Sequence, residues 1–215
     1  MDFDTWAQQG NRGWGYADCL PYFKRIERRI GEDNDNLRGR DGDQPVTDID
    51  WTHPLTEAFI EGAAELGIPR NTDYNGVKQE GINYTQRTIK NGLRVSAAKA
   101  FLKPAMKRGN LTVRTHAHAT ELTLEGKRVT GLRYQIGGRG GDERIVRANR
   151  EVILSGGSFN SPQLLQLSGI GPAPLLKSMG IEVRHALPGV GENLRDHYAP
   201  RFAARVKNTD TINER

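Results

Sequence analysis

Residues Gly157–Gly171 read GSFNSPQLLQLSGIG, and this stretch decides the fold prediction. A Gly/Ser turn leads into a short apolar helix, which we predict to open at Ser161 and to stop at Ser168-Gly169. Directly before it, Arg150–Gly156 reads REVILSG, an apolar run typical of a buried strand. Strand, glycine turn and helix together predict a crevice edge where a nucleotide can approach bare backbone.

The hydrophobic period upstream of this stretch is two. Leu111–Leu124 alternates apolar and polar residues (LTVRTHAHATELTL), Gly126-Lys127 turns the chain, and Val129–Ile136 supplies a return strand. A second turn, GGRGGD, leads into the next strands. Residues 111–155 therefore predict a small antiparallel meander that delivers a buried strand to the glycine turn.

Helical spacing dominates the first half of the chain. We predict a helix over Tyr16–Arg29 with Asp18 as its N-cap, and a helix over Arg94–Asn110 interrupted near Pro104. Another helix is predicted over residues 55–67, with one apolar face formed by Leu55, Phe59, Ala63 and Leu66. After the Gly157–Gly171 stretch, a helix over Pro172–Met179 and a strand over Ile181–Leu187 are expected.

Composition and charge exclude several classes of protein. The net charge is +5, but the 31 basic residues are dispersed among 26 acidic ones, and KRIERR (Lys24–Arg29) is predicted to be the solvated face of a helix. No nucleic-acid partner is therefore expected. No apolar run is long enough for an integral membrane segment. The single cysteine, Cys19, fits packing in a reducing compartment, and we expect a cytoplasmic protein.

Metal and hydrolase chemistry are disfavoured by spacing. The acidic stretch in the predicted loop over residues 31–50 lacks the order and the bidentate Glu of a calcium loop. His116 and His118 lie two residues apart on a predicted strand, so their side chains share one face. This spacing allows a two-point metal site, but a solvent-exposed strand face is the simpler interpretation. None of the serines lies in a G-x-S-x-G elbow. We interpret Asp196-His197 as residues that hold a loop in place, and the alternative is a catalytic acid–base pair. We predict no metal site.

No G-x-G-x-x-G or Walker-type loop occurs in the sequence. The glycine pairs at 169/171 and 189/191 have the wrong residue three places later, and neither pair opens a helix after a strand. A dinucleotide bound to this chain would therefore need its pyrophosphate cradle from elsewhere.

Four quoted segments resemble the glucose–methanol–choline (GMC) flavoprotein oxidoreductases in order and spacing. They are WAQQGNRGWGYADCLPYFKRIE, GLRVSAAKAFLKPAMKRGNLTVRTHAHATEL, REVILSGGSFNSPQLLQLSGIGP and LPGVGENLRDH. The resemblance extends from about Trp6 to His197. It implies an α/β (mixed α+β) fold: part of an FAD/NAD(P)-binding Rossmann-like domain with an antiparallel meander, plus part of a substrate lobe.

The resemblance also implies domain limits and a reaction. Residues 1–110 would belong to the substrate lobe or lid with a helical connection, residues 111–197 to the FAD-binding domain, and residues 198–215 to the start of the substrate-domain sheet. The reaction would be FAD-dependent oxidation of the CH–OH group of a small-molecule alcohol, choline-like or otherwise. The family's N-terminal glycine motif and its C-terminal catalytic His pair have no match here, so a fragment lacking both ends is expected.

Four positions match the family's adenine-side cofactor contacts: Ala119, Ser155, Gly156 and Gly157. The family uses a small apolar residue at Ala119, whose backbone meets the adenine, and small residues at the strand end let the nucleotide approach. None of the five histidines matches the catalytic position, so no catalytic residue is assigned. The alternative hypothesis is an inactive orphan fragment that does not bind flavin independently.

Overall fold

The computed structural model describes residues 2–31 and 36–211. Helices and strands alternate in it, which confirms the mixed α/β class. The helices are α1 (Asp2–Gln8), α2 (Tyr16–Ile26), α3 (Pro54–Glu65), α4 (Lys103–Ala105), α5 (Gly157–Leu167) and α6 (Ala173–Ser178). The strands are β1 (Glu27–Ile30), β2 (Gln44–Thr47), β3 (Ile89–Lys90), β4 (Leu93–Arg94), β5 (Ala117–Glu125), β6 (Arg128–Ile136), β7 (Asp142–Arg147), β8 (Ile170–Gly171) and β9 (His185–Ala186).

The chain divides into two compact units. One comprises the residues up to Thr112 and those from Lys207 onward, and the other comprises Val113–Val206. None of the helices in the described ranges is long and apolar enough to cross a membrane.

Helix α2 in the first unit ends earlier than the sequence predicted. Its N-cap is Gly15, and Asp18 lies three residues on, where its Oδ2 accepts a hydrogen bond from the Gly15 N–H at 3.2 Å. The chain then turns extended, and β1 pairs in parallel with β2. The prediction that Lys24–Arg29 forms a solvated helical face was therefore wrong at its end, because Arg29 lies in β1 and is 2% exposed.

The acidic segment after β1 was predicted to be a loop throughout, and this is wrong for β2. Strand β2 is held beside β1 by their parallel pairing and by a backbone hydrogen bond just before β2, in which the Gly42 N–H donates to the Glu27 carbonyl at 2.9 Å. The most acidic part of the predicted loop, residues 32–35, lies outside the described residues.

Helix α3 confirms the helix predicted there, but only part of the predicted apolar face is buried. The His53 side chain caps it, with Nδ1 accepting from the Leu55 N–H at 3.2 Å. Ile60 and Ala63 are buried, whereas Phe59 is 71% exposed. The helix predicted over residues 94–110 is confirmed in its middle part, where Ala97, a π-helical turn over Ala98–Leu102 and the short α4 form one continuous helical segment. It ends at Ala105, directly after Pro104.

The second unit contains the predicted meander. Strands β5, β6 and β7 form a three-stranded antiparallel sheet in sequence order. Strand β5 starts at Ala117, several residues after the predicted start at Leu111, and its pairing with β6 shifts register between Ala119 and Glu121. Such a bulge bends the strand and changes the direction of the side chains near it.

Helix α5 packs against the sheet through one buried serine. The Ser168 hydroxyl donates to the Leu164 carbonyl at 2.6 Å and accepts from the backbone N–H of Leu122, in the middle of β5, at 2.8 Å. Ser168 is 1% exposed. Gly169 follows with φ 81°, so the helix ends at Ser168-Gly169 as predicted. It begins four residues before the predicted start at Ser161.

The run Arg150–Gly156 was predicted to be a buried strand, and the structure contradicts this. It has no ladder partner among the described residues, and Ile153 is 75% exposed while its neighbours Val152 and Leu154 are half-buried. The described residues therefore form no parallel sheet at this corner of the kind that a Rossmann-like domain contains. The parallel pair of this unit is the short β8–β9 ladder, which follows α5.

Candidate adenine-nucleotide cleft

The first wall of the candidate site is the start of β5. Ala119 is half-buried and pairs with Tyr134 of β6, immediately before the register shift. At the shift, the Thr120 hydroxyl donates to the Arg133 carbonyl at 3.2 Å. Ala119 thus presents a small side chain and its own backbone beside an irregular point of the ladder, where a flat ligand meets little steric obstruction.

The second wall is the turn into α5. The Gly156 N–H donates to the Ser161 hydroxyl at 2.9 Å, which closes the first turn of the helix. Gly157 has φ 86°, a conformation that only glycine adopts without strain. A Cβ on Gly156 would lie 3.1 Å from the Asn160 Cβ and 3.2 Å from the Ser161 nitrogen. The local geometry therefore favours glycine at both positions, and Ser161 acts inside the helix instead of opening it.

Three of the four predicted residues line one cleft. Ala119, Ser155 and Gly156 border a cavity of about 420 Å³ between β5, β6 and α5, a size within the range of small-molecule sites. Gly157 does not line this cavity. The remaining lining residues are Ala117, His118, Leu132, Arg139, Val152, Ile153, Leu154, Asn160, Ser161, Gln163, Leu164 and Leu167.

The composition of the cleft suits the adenosine part of a nucleotide. Aliphatic side chains such as Leu132 and Leu164 offer an apolar surface for a base, while Asn160 and Gln163 offer amide donors and acceptors. The first N–H groups of α5 begin at this end of the helix and lack intrahelical partners. The residues present therefore fit the adenosine side of FAD.

Among the lining residues that sequence reasoning did not assign to the cofactor, Arg139 is the one with a permanently charged side chain. It lies in the turn between β6 and β7, which reads GGRGG and was interpreted only as a hairpin connection. A single cation between two pairs of glycines was the available signal, but a charged residue in a glycine-rich turn is most often simply solvated.

The histidine candidates do not come together as a site. His118 borders the cleft, whereas His116 precedes β5 with φ 53° and its carbonyl accepts from the Gly137 N–H at 2.9 Å. Within residues 2–31 and 36–211, no group of three potential metal ligands is found. Asp196 accepts a hydrogen bond at 2.9 Å from the backbone N–H of His197, not from its ring, and the loop-anchoring role stays a prediction.

The first unit contains a larger cleft of about 760 Å³, to which none of the four predicted residues contributes. Asp48 and Asp73 are among its lining residues, and both carboxylates are already engaged. Asp48 receives two hydrogen bonds from Arg29 Nη2, at 2.8 and 2.7 Å. Asp73 receives one from Arg38 Nη1 at 2.5 Å. Its acidic groups therefore serve ion pairs within the fold.

Arg38 is the centre of that network. It is 5% exposed, and its Nε and Nη2 donate to the two carboxylate oxygens of Glu27 at 3.1 and 2.5 Å. Its Nη1 also donates to Gln86 Oε1 at 3.1 Å. Burial opposes the charge of Arg38, but its hydrogen bonds to Glu27 and Asp73 outweigh this and raise its pKa above the ordinary value.

The carboxyl group of Asp73 is perturbed in the complementary direction. Burial by itself would raise the pKa of Asp73, but the hydrogen bond and charge of Arg38, with donors from Asn75 and Gln86, hold it below its ordinary value of 3.8. A perturbed carboxylate in a cleft can mark a catalytic group. Here its cause is a four-residue structural network, so we assign it to the fold of the first unit.

Comparison with known proteins agrees with the fold. The family profile described as GMC oxidoreductase matches residues 1–199. The chain therefore belongs to the GMC oxidoreductase family.

Curated relatives include an oxygen-dependent choline dehydrogenase of Rhizobium etli, 50% identical over 196 residues, which covers 91% of this chain and 35% of the relative. That of Photobacterium profundum is 44% identical over 219 residues and covers 100% of this chain and 37% of the relative. The chain thus spans little more than a third of the length of these relatives.

Solved structures of similar fold include pyridoxine 4-oxidase from Mesorbium loti, with a TM-score of 0.78 and 37% identity over 87% of this chain and 36% of that one. An FAD-dependent oxidoreductase from Chaetomium thermophilum has a TM-score of 0.81 and 28% identity, covering 87% of this chain and 34% of that one.

Proposed function

We propose that the second unit of this chain contributes the adenine-side FAD-binding surface of an oxidoreductase that acts on the CH–OH group of a small alcohol. The observation that carries the proposal is the convergence of Ala119, Ser155 and Gly156 on one cleft. Ala119 is distant in sequence from the adjacent Ser155 and Gly156, and the family resemblance assigns all three to the cofactor. The names of the relatives support a choline-like substrate and a flavin cofactor.

Bound FAD supplies the hydride acceptor for oxidation of the alcohol carbon. The residues of this chain would hold its adenosine part: Ala119 and Leu132 would supply apolar surface, and the small residues at 155 and 156 would leave room for the nucleotide. Proton transfer from the alcohol needs a base, and we assign none to this chain, because no histidine matches the family's catalytic position. Its contribution is binding and orientation.

The proposal is tested by titrating the purified 215-residue chain with FAD and following the binding heat by calorimetry. Wild type is expected to bind FAD, and Ser155→Trp is expected to abolish binding, because Ser155 is exposed on the cleft wall and the indole would occupy the cavity. The matched control is Ser158→Trp, since Ser158 is exposed in the first turn of α5 but does not line this cleft. Far-UV circular dichroism of both variants monitors the fold.

The competing hypothesis is a chain that does not bind flavin alone. It is favoured by the exposed apolar side chains beside the cleft, since Ile153 and Phe159 are 75% and 73% exposed. Such surface normally packs against other polypeptide. A wild-type chain with native circular dichroism that binds neither FAD nor adenosine would establish this alternative and refute the binding role proposed for the isolated chain. The cytoplasmic location stays a prediction, which cell fractionation would check.

A further inference from the structure

We propose that Arg139 makes the cleft selective for an anionic ligand, by contacting a phosphate group of the adenine nucleotide that the cleft binds. This inference rests on the proposed function and adds to it a residue and a chemical preference. The residue is placed by the turn between β6 and β7, and its role follows from the charges of the cleft.

Hydrogen bonds hold the backbone of the turn on both sides of Arg139. The Gly137 N–H donates to the His116 carbonyl at 2.9 Å, before the arginine, and the Gly140 N–H donates to Gln135 Oε1 at 2.9 Å, after it. The Gly141 N–H closes the turn onto the Gly138 carbonyl at 3.2 Å. These bonds constrain the turn backbone on both sides of Arg139, and the exposed arginine side chain borders the cleft.

The charges around the cleft favour an anion. None of the described lining residues is a carboxylate, and Arg139 is the one lining side chain with a permanent charge. The N-terminal end of α5, which carries a partial positive charge, lies on the same cleft. A guanidinium matches the geometry of phosphate oxygens, so a phosphate would find a donor there and no competing negative group.

Phosphate contact and ring stacking are the two ways in which Arg139 could meet an adenine nucleotide. A guanidinium can also stack on the face of an aromatic ring, and this attraction does not need a phosphate. The two roles differ in one respect: removal of a phosphate contact weakens AMP and ADP but not adenosine, whereas removal of stacking weakens all three equally.

The experiment compares adenosine, AMP and ADP by calorimetry, using the full chain and the variant Arg139→Gln. Because Arg139 is exposed and solvated, we expect a loss of about three- to fivefold in AMP and ADP affinity and no change for adenosine. Arg139→Lys is expected to recover part of the loss, since the charge remains. Raising the salt concentration should reduce AMP affinity in wild type and much less in Arg139→Gln.

The matched control is Arg147→Gln, because Arg147 is an exposed arginine of β7 that does not line the cleft. It changes the net charge equally and should leave all three affinities unchanged. An equal effect of both variants would overturn the proposal in favour of general charge, and an equal loss for adenosine would overturn it in favour of stacking. If wild type binds adenosine and FAD but does not prefer AMP, only this inference fails. If wild type binds none of them, the proposed function fails with it.

Discussion

The bond between Ser168 and β5 should be the most sensitive polar contact of the second unit, and Ser168→Ala tests this. The Leu122 N–H, which donates to the Ser168 hydroxyl at 2.8 Å, lies at a residue that is 2% exposed. Alanine would leave this N–H without the hydroxyl acceptor, and a buried unsatisfied donor costs about 1–3 kcal/mol. The Leu164 carbonyl also accepts a hydrogen bond from the Ser168 backbone N–H at 3.1 Å, which alanine retains. Only the Leu122 N–H therefore loses its partner. We expect a loss of about 2 kcal/mol.

The assay is urea unfolding of the full chain followed by far-UV circular dichroism, with hydrogen exchange at Leu122 as the local measurement. The matched control is Ser178→Ala, because the Ser178 hydroxyl also donates to a helix carbonyl, that of Leu175 at 2.8 Å, but is exposed. Its effect should stay within about 0.5 kcal/mol. If Ser168→Ala costs no more than Ser178→Ala and does not accelerate exchange at Leu122, the assigned role of this bond is wrong.

Two further predictions concern backbone geometry and acid stability. Gly169 and Gly180 both have positive φ, but a Cβ on Gly169 would lie 2.5 Å from the Glu182 carbonyl oxygen, whereas none of the described atoms lies within 4 Å of a Cβ on Gly180. Urea unfolding should therefore show a cost of about 1 kcal/mol for Gly180→Ala and at least about 2 kcal/mol more for Gly169→Ala; equal costs would contradict the clash. Because the folded pKa of Asp73 is lowered, its contribution to stability is complete above its ordinary value of 3.8 and is lost as the pH falls through the folded pKa. Asp73→Asn should therefore be less stable than wild type at neutral pH and show a shallower loss between pH 4 and 2, and parallel pH profiles would exclude this role.

The meander was predictable because its signals are local. Alternation in β5 and the glycine turns that follow β5 and β6 indicate a meander without reference to distant residues. The end of α5 was also predictable from Ser168-Gly169, but the bond from Ser168 to β5 spans 46 residues and leaves no pattern in the sequence.

Elements that depend on distant partners were the ones predicted wrongly. The sequence favours continuing α2 through Arg29, but Glu27 and Arg29 form side-chain bonds to residues 11 and 19 positions away, which the extended β1 allows. The run Arg150–Gly156 has strand composition, yet a strand also requires a neighbour, and composition does not supply one. In α3, Phe59 fits the helical period as well as Ile60, and only tertiary packing decides between them.

One wall of the cleft is firmly held, whereas the recognition group that we propose lies on an exposed turn, so stability and recognition should depend on different residues. The hydroxyl of Ser168 joins β5 to α5, so it constrains the distance between Ala119 on the strand and Gly156 at the start of the helix. Arg139, in contrast, lies on an exposed turn and is expected to contribute little to folding. Loss of the serine hydroxyl should therefore reduce both stability and binding of every adenine compound. Loss of the arginine should change the preference among those compounds at constant stability, and a variant that shifted both together would contradict this division of the site.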